Sequence, residues 1–261
     1  MLEIKNISKT FNPGTINEKQ VFKDFSLTVK DSEFVTIIGA NGAGKSTLFN
    51  AIAGTFITDS GTIELDGKNI TLLSEYKRAR RIGRLFQDPM LGTAPGMTIE
   101  ENLTLAAGRG GWFSTINRQD RERFRETLSE LKMGLEDKLT KPVGLLSGGQ
   151  RQALTLMMAT INPPDLLLLD EHTAALDPAT AEKVLQITER IVNKHSLTCL
   201  MITHNMQSAL DLGSRILMMD EGKVVFDSSG EEKSKLKISD LLVLFKKRSG
   251  KTLDTDRILL S

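Results

Sequence analysis

The chain has 261 residues, of which 39% are hydrophobic and 26% charged, and this composition is typical of a globular protein with a sizeable core. Lysine and arginine total 34 against 33 acidic residues, so the net charge of +1 gives no bulk electrostatic reason to expect nucleic acid as a partner. A single cysteine, Cys199, excludes a disulfide within the chain.

The first segment and the longest apolar runs argue against a signal sequence and against a membrane span. MLEIKNISKTF has no apolar core behind a basic start, and its alternation predicts a strand rather than a secretory signal. The longest apolar runs, at 166–169 and 199–202, are far shorter than the roughly 20 residues that a bilayer span requires. We therefore expect any role at a membrane to depend on a partner.

The first part of the chain is predicted to be rich in β-structure. Strand-like segments lie at 2–11, 21–30, 34–39 and 62–70, and a further strand, IGRLFQ, follows a basic stretch. The segment FVTIIG is apolar throughout, ends in glycine and runs into a predicted helix.

From about Met90 to Asn162 the pattern becomes helical. IEENLTLAA and DRERFRETLSELKMG place leucine and phenylalanine at steps of three and four residues, and Phe124, Leu128 and Leu131 form one such stripe. The glycine-rich segment between these helices carries Trp112 and Phe113 and is predicted to be a surface loop.

After Pro163 and Pro164, apolar strands alternate with amphipathic helices. This alternation indicates a parallel sheet that is covered on both faces, and hence an α/β fold. The tail from about Gly230 contains the amphipathic segment ISDLLVLFKKRSG, in which Ser239 or Asp240 could cap a helix. Docking of this helix on the core is favoured over binding to a membrane surface.

A phosphate-binding loop follows the apolar strand at 34–39. GANGAGKST fits the pattern G-x-x-x-x-G-K-[ST], in which backbone N–H groups and a helix N-terminus wrap the phosphates of a nucleotide. The lysine is expected to contact the β- and γ-phosphates, and the serine hydroxyl to ligate Mg²⁺. A glycine-rich turn that binds nothing is the alternative. The predicted loop residues are Gly39, Asn41, Gly42, Ala43, Gly44, Lys45, Ser46 and Thr47.

A buried strand that ends in two carboxylates supports the same chemistry. In DLLLLDE, the first acid, Asp170, is expected to hold Mg²⁺ and the second, Glu171, to polarise the attacking water of ATP hydrolysis. Adjacent carboxylates at the end of an uncharged strand repel one another unless a cation is near. A solvated turn is the alternative interpretation.

The sequence LSGGQRQ at 146–152 makes the chain resemble the ABC-family ATPases, because it matches the signature sequence of that family. Ser147, Gly148, Gly149 and Gln150 precede or open a helical run, so they offer a second helix-terminal site for phosphate. The resemblance implies that this site closes on the nucleotide of an opposite subunit, in a head-to-tail dimer that holds two ATP molecules.

Further matches to the family cover most of the first 228 residues. Gln87 in LFQDP resembles the Q-loop glutamine, which would ligate Mg²⁺, and Asp177 in AALDP resembles the D-loop at the dimer interface. His204 in ITHN resembles the switch histidine, which would act with Glu171 and Lys45 in catalysis. Phe11 lies where the family places an aromatic residue that stacks on adenine, although a phenylalanine in the core is the alternative.

The resemblance implies a P-loop NTPase fold with a RecA-like parallel core, an antiparallel β subdomain at the N-terminal end and an inserted α-helical subdomain. We therefore divide the chain into an ATP-binding core at 1–89 and 163–228, a helical subdomain at 90–162 and a tail at 229–261. Two departures from the family pattern are His172, where proline is usual, and ALTLMMATI after the signature, where many members carry arginine and alanine.

The expected function is ATP hydrolysis that drives transport through membrane permease subunits, with ATP and Mg²⁺ as cofactors. EHTAALDP and SGGQRQALTL are similar to ATPase subunits of bacterial uptake systems, including those for amino acids, so import is favoured, with a solute-binding protein as a further partner. The intact motifs favour a homodimer. We expect it to bind peripherally at the cytoplasmic face of a bacterial membrane. A soluble ABC ATPase that remodels DNA or ribosomes is the alternative, but the stretch between Gln87 and Ser147 is too short for a coiled-coil insertion.

Overall fold

A computed structural model describes residues 1–108 and 116–249. The predicted loop around Trp112 and Phe113, and the end of the predicted tail at 250–261, lie outside the described residues. Within the described residues there are ten strands: β1 (Leu2–Phe11), β2 (Lys19–Val29), β3 (Phe34–Gly39), β4 (Ser60–Leu65), β5 (Lys68–Asn69), β6 (Ile82–Leu85), β7 (Leu166–Asp170), β8 (Cys199–Ile202), β9 (Arg215–Asp220) and β10 (Lys223–Ser229).

The described part of the chain also forms nine α-helices and two 3₁₀ turns. The helices are α1 (Lys45–Ala53), α2 (Glu75–Arg78), α3 (Ile99–Ala106), α4 (Arg118–Ser129), α5 (Gly148–Thr160), α6 (Pro178–Lys194), α7 (Met206–Asp211), α8 (Gly230–Ser234) and α9 (Ile238–Ser249). The 3₁₀ turns are Pro89–Gly92 and Val143–Leu145.

The strands form two sheets, which confirms the predicted α/β class. The smaller sheet has the order β2-β1-β4-β5 and is antiparallel. The larger sheet has the order β10-β9-β3-β8-β7-β6, and its strands from β9 to β6 run parallel, whereas β10 joins the edge antiparallel.

Both faces of the larger sheet are covered. Alternate residues of each central strand point to opposite sides, and each side packs against its own cluster. In β7, Leu166 and Leu168 belong to the cluster formed with α1 and the smaller sheet. Leu167 and Leu169 belong to the opposite cluster, which includes α3, α4, α5 and α6. The apolar run that follows Asp165 is thus a strand packed from both sides.

The predicted helical segment contains α3, α4, α5 and both 3₁₀ turns. The predicted stripe along α4 differs at one position, because Leu131 lies beyond the helix end at Ser129. Leu131 is nevertheless buried, since its N–H donates to Leu128 O in a turn and Lys132 then adopts a positive φ of 51°. The division at residues 89, 162 and 228 remains our proposal, supported by this order of elements.

The C-terminal part of the described chain packs on the core through α9. Leu241 and Phe245 join a cluster with residues of α7 and β9, among them Met206 and Met218. The helix begins at Ile238, before the predicted caps, and the Asp240 carboxylate accepts a hydrogen bond from the N–H of Lys237 at 2.9 Å. None of the helices in the described part of the chain combines the length and apolar character that crossing a membrane requires.

Candidate nucleotide-binding site

Four of the predicted motifs follow neighbouring parallel strands. The phosphate-binding loop follows β3, His204 follows β8, Asp170 and Glu171 end or follow β7, and Gln87 follows β6. Because β3, β8, β7 and β6 are adjacent and parallel, their carboxyl ends lie along one edge of the sheet. The topology therefore gathers residues that are more than one hundred positions apart in sequence.

Gly44 makes the turn from the phosphate-binding loop into α1. It caps the helix with φ 98° and ψ 4°, a left-handed conformation that strains any residue with a side chain. Asn41, Gly42 and Ser46 are exposed, Thr47 is half-buried and Ala43 is buried. The N-terminus of α1, where backbone N–H groups attract anions, is thus open to a phosphate.

The Lys45 ammonium lies over its own loop. Its Nζ donates hydrogen bonds to Gly39 O at 2.7 Å and Ala40 O at 3.1 Å, and the residue is only 5% exposed. Burial lowers the pKa of Lys45, while the charges of Glu171 and Asp170 act in the opposite direction. The lysine is therefore a cation held close to both carboxylates.

Asp170 and Glu171 differ in their proton affinity although they are adjacent. Burial, followed by the charge of Glu171, raises the pKa of Asp170 against the opposing effects of Arg84, Lys45 and His204. Burial also acts to raise the pKa of Glu171, but the hydrogen bond and charge of His204, together with Lys45, hold that pKa below its ordinary value. Glu171 is therefore a carboxylate at neutral pH and can act as a general base.

His204 and Glu171 are in direct contact. The distance from His204 Nε2 to Glu171 Oε1 is 2.6 Å, and the glutamate side chain is 13% exposed against 39% for the histidine. Glu171 has a φ of 46°, in the left-handed region, and its N–H donates to Ile202 O at 3.1 Å. The backbone of the neighbouring strand β8 thus helps to hold a strained residue in place.

Arg84 is a residue of the site that the sequence analysis missed. Its NH2 donates to Asn50 Oδ1 at 2.7 Å and lies 3.9 Å from Asp170 Oδ2, and its guanidinium stacks over the Phe86 ring at 4.7 Å. Burial lowers its pKa, with Asp170 and Glu75 opposing that effect. A charged residue within the otherwise apolar strand IGRLF was the signal available in the sequence.

His172, the predicted departure from the family pattern, is a buried neighbour of the site. It is 3% exposed, and its Nε2 lies 3.1 Å from Thr188 Oγ1 on α6. Burial lowers its pKa to about 4, so the imidazole is neutral near pH 7.

The signature residues form the start of α5. Ser147 caps this helix by accepting a hydrogen bond from the N–H of Gln150, and the Gln150 side chain returns the contact to Ser147 N. A Cβ on Gly148 would lie 3.1 Å from Leu176 Cδ2, and one on Gly149 only 2.1 Å from Thr180 Cγ2. Glycine is thus required where the signature helix meets the start of α6.

Asp177 caps α6 at this contact. Its Oδ1 accepts a hydrogen bond from Thr180 N at 3.1 Å. Among the described residues, no hydrogen bond joins the signature residues to the phosphate-binding loop of the same chain; those of the Gln150 side chain go to Ser147 and Met133. The structure therefore brings the signature to the D-loop.

Gln87 and Phe11 lie at the margins of the candidate site. Gln87 is exposed after β6, and Phe11 ends β1 in the smaller sheet. The Phe11 ring packs edge-to-face on Phe56 with centroids 5.2 Å apart, and Lys9 Nζ is 5.6 Å from its centroid. This half-exposed ring is compatible with both stacking on a base and partial packing.

The donors predicted for Mg²⁺ suit that ion chemically. Ser46, Gln87 and Asp170 offer hydroxyl, amide and carboxylate oxygens, which are the hard ligands that Mg²⁺ prefers. The raised pKa of Asp170 next to a second carboxylate also indicates a site where a cation would relieve repulsion. Within the described residues, no group of three or more His, Cys, Asp or Glu side chains forms a metal cluster.

Comparison with known proteins identifies this arrangement. The family model described as "ABC transporter" matches residues 22–174, which span the phosphate-binding loop, the signature and the acidic pair. The chain belongs to the ABC transporter ATP-binding family. It is thus an ABC transporter ATPase subunit, with a P-loop NTPase fold that binds and hydrolyses ATP.

Relatives of this ABC ATPase support the assignment over nearly its full length. A tyrosine transport ATP-binding protein of Clostridioides difficile is 44% identical over 94% of this chain and 98% of its own. A lipoprotein-releasing system ATP-binding protein of Caulobacter vibrioides is 35% identical over 84% and 93% of the two chains. A dimeric ATP-binding cassette, solved in a post-hydrolysis state with ADP and Pi, superposes with a TM-score of 0.75 at 29% identity, covering 88% of this chain and 98% of the other.

We expect the substitution Gly149→Ala to reduce the free energy of unfolding by about 1–3 kcal/mol, because the new methyl group overlaps Thr180 Cγ2. The second substitution Thr180→Ser removes that methyl and should restore most of the loss. Chemical denaturation of the single and double variants measures both effects. Gly96→Ala is the matched control, since a Cβ there meets open space; equal stability of the Gly149 and Gly96 variants would contradict the close packing.

Proposed function

We propose that this ABC ATPase closes as a dimer around ATP and Mg²⁺ and thereby drives import through membrane permease subunits. The observation that supports the proposal best is the convergence of Lys45, Glu171 and His204 at the carboxyl edge of the larger sheet. These three side chains supply a phosphate-binding cation, a general base and a group that orients the base.

Lys45 binds the phosphates and Glu171 takes the proton. When ATP is bound, the Lys45 ammonium exchanges its contacts with Gly39 O and Ala40 O for the β- and γ-phosphate oxygens. The Glu171 carboxylate, with its lowered pKa, accepts a proton from the water that attacks the γ-phosphate. His204 orients that carboxylate through the 2.6 Å contact and then contacts the γ-phosphate.

The remaining loop residues shape the nucleotide pocket. Gly39, Asn41, Gly42, Ala43, Gly44 and Thr47 wrap the phosphates through the backbone and the start of α1, and Phe11 stacks on the adenine. Ser46, Gln87 and Asp170 would hold Mg²⁺, which neutralises charge on the phosphate oxygens when it is bound.

Two copies of the chain complete each site in this proposal. Ser147, Gly148, Gly149 and Gln150 form a capped helix N-terminus at which Ser147 and Gly148 are exposed, and this suits the γ-phosphate held by the opposite subunit. Asp177 lies at the start of α6 beside them and would cross the interface. The dimeric state of the solved cassette with ADP and Pi supports this arrangement.

The permease contact is proposed at the segment that follows Gln87. Met90 and Leu91 are exposed there, with Leu91 at 70%, and Met97 is half-buried. Asn102 on α3 holds this segment in place. Its side-chain Oδ1 accepts a hydrogen bond from Ala94 N, and its Nδ2 donates one to Ala94 O. This apolar segment is exposed but held in place, and it follows Gln87, which we propose as a ligand of Mg²⁺. It therefore suits contact with a partner to which a conformational change is transmitted.

The relatives support a proposal for the solute and the location. The tyrosine transport protein, which matches over 94% of this chain, supports amino-acid import, with a solute-binding protein as a further partner. Because this relative is bacterial, we propose that the ATPase works in a bacterial cell, bound peripherally at the cytoplasmic face of the membrane.

The substitution Glu171→Gln tests the catalytic assignment. An amide cannot accept the proton of the attacking water, so we expect ATP turnover to fall by about 100-fold or more while ATP still binds. Size-exclusion chromatography in ATP and Mg²⁺ should show a persistent dimer for the variant. Normal turnover together with a monomeric profile in ATP would contradict the role of Glu171.

Capture of the full chain from membranes of its native cell tests the transport assignment. We expect a multi-span permease to remain bound and, for an importer, a solute-binding protein to accompany it. The variant Leu91→Asp should lose the permease, whereas Val243→Asp, which charges an equally exposed apolar residue at 63% exposure on α9, should retain it. Recovery of ribosomal or DNA-repair proteins without a permease would favour the soluble alternative.

A further inference from the structure

The side chain that follows the catalytic glutamate is anchored to a distant part of helix α6. His172 is 3% exposed and Thr188 is fully buried, and His172 Nε2 lies 3.1 Å from Thr188 Oγ1. Since α6 begins at Pro178, Thr188 lies ten residues, or nearly three turns, along the helix. The contact therefore closes the segment 171–177 onto the helix that follows it.

The direction of this hydrogen bond follows from the other contact of the threonine. Thr188 Oγ1 donates its proton to Val184 O at 2.9 Å, within the same helix. With that proton on Val184 O, the hydroxyl accepts from the histidine, and the matching tautomer of the neutral ring carries its proton on Nε2. An apolar residue or proline at position 172 could not make this contact.

The anchored segment carries the catalytic group and leads to the signature. Glu171 keeps a strained φ of 46°, and its carbonyl accepts a hydrogen bond from Ala174 N at 3.0 Å. Just beyond the other end of the segment, Thr180 on α6 lies against Gly149 of the signature helix. The contact of His172 with α6 thus restrains the backbone from which the Glu171 side chain extends.

We propose that His172, through its hydrogen bond to Thr188, is a positioning residue that holds Glu171 in its catalytic orientation relative to α6. This inference rests on the proposed role of Glu171 as the general base. Loss of the hydrogen bond lets the segment 171–177 relax, and a small misplacement of the base slows proton transfer without removing any contact to ATP.

Turnover and ATP affinity of the full chain, measured in ATP and Mg²⁺, test the proposal. His172→Leu and Thr188→Val each remove the hydrogen bond with little change in volume, and we expect each to lower kcat about 10-fold while the Kd for ATP changes less than about 2-fold. The double variant should be no slower than the slower single variant, because both remove the same interaction.

Two further variants separate positioning from packing. His172→Gln places an N–H donor at about the reach of Nε2, and Thr188→Ser keeps the hydroxyl, so both should recover most of the turnover. Thr160→Val is the matched control, because Thr160 is also buried in a helix with its hydroxyl donating to Leu156 O at 2.8 Å. This control should keep wild-type turnover.

Glu171→Gln, assayed in parallel, distinguishes failure of the inference from failure of the proposed function. If that variant turns over ATP normally, the role of Glu171 fails and the inference fails with it. If that variant is inactive but Thr188→Val turns over ATP like the Thr160→Val control, the inference alone is overturned. Additive losses in the double variant, or a loss that neither glutamine nor serine restores, would also overturn it.

Discussion

The repulsion between two adjacent carboxylates at the end of a buried strand is the constraint around which this site is organised. Asp170 and Glu171 follow four fully buried leucines, so water screens their charges poorly. The fold brings two cations to them, Lys45 from the phosphate-binding loop and Arg84 from the strand on one side, and it places the His204 imidazole after the strand on the other side.

This arrangement gives the two acids different proton affinities, which suit the different functions that we propose for them. Asp170 faces Arg84 at 3.9 Å and has a raised pKa, whereas Glu171 is in contact with His204 at 2.6 Å and has a lowered one. The environment of Asp170 suits a carboxylate that binds a metal ion, whereas the environment of Glu171 suits a general base. Their pKa values differ because burial and the charge of Glu171 outweigh Arg84 at Asp170, whereas the contact with His204 and the charge of Lys45 outweigh burial at Glu171. His204 reaches Glu171 because β7 and β8 are neighbours, so the difference depends on the order of strands in the sheet.

The α/β class, the strand-helix alternation and the motif positions could be predicted from sequence, because each depends on local patterns. FVTII at 34–38 and the four leucines at 166–169 are apolar runs typical of strands that are covered on both faces, and the structure buries both. The end of α4 at Ser129 was missed, since Leu131 fits the helical pattern but lies in a turn. The start of α9 at Ile238 was missed, since Ser239 and Asp240, the predicted caps, lie within the first turn of the helix.

The interactions between motifs could not be predicted in the same way. Arg84 reaches Asp170 and Asn50 only because β6 and β7 are paired, and the pairing partner of a strand is not encoded in its own pattern. His172 was visible as an unusual residue, but its partner Thr188 lies on a face of α6 that sequence periodicity marks simply as buried. The need for glycine at position 149 likewise appears only when α5 and α6 meet.

If ATP joins the phosphate-binding loop of one copy to the signature of another, as we propose, the two motifs come close together only when ATP is bound. Because Asn41 and Ser147 are exposed and Cys199 is buried, a mixture of Asn41→Cys and Ser147→Cys chains in a Glu171→Gln background can report this contact by disulfide formation. The account predicts a crosslinked dimer that forms in the mixture with ATP and not without it. Crosslinking that is absent despite bound ATP, or equal with and without ATP, would contradict the account.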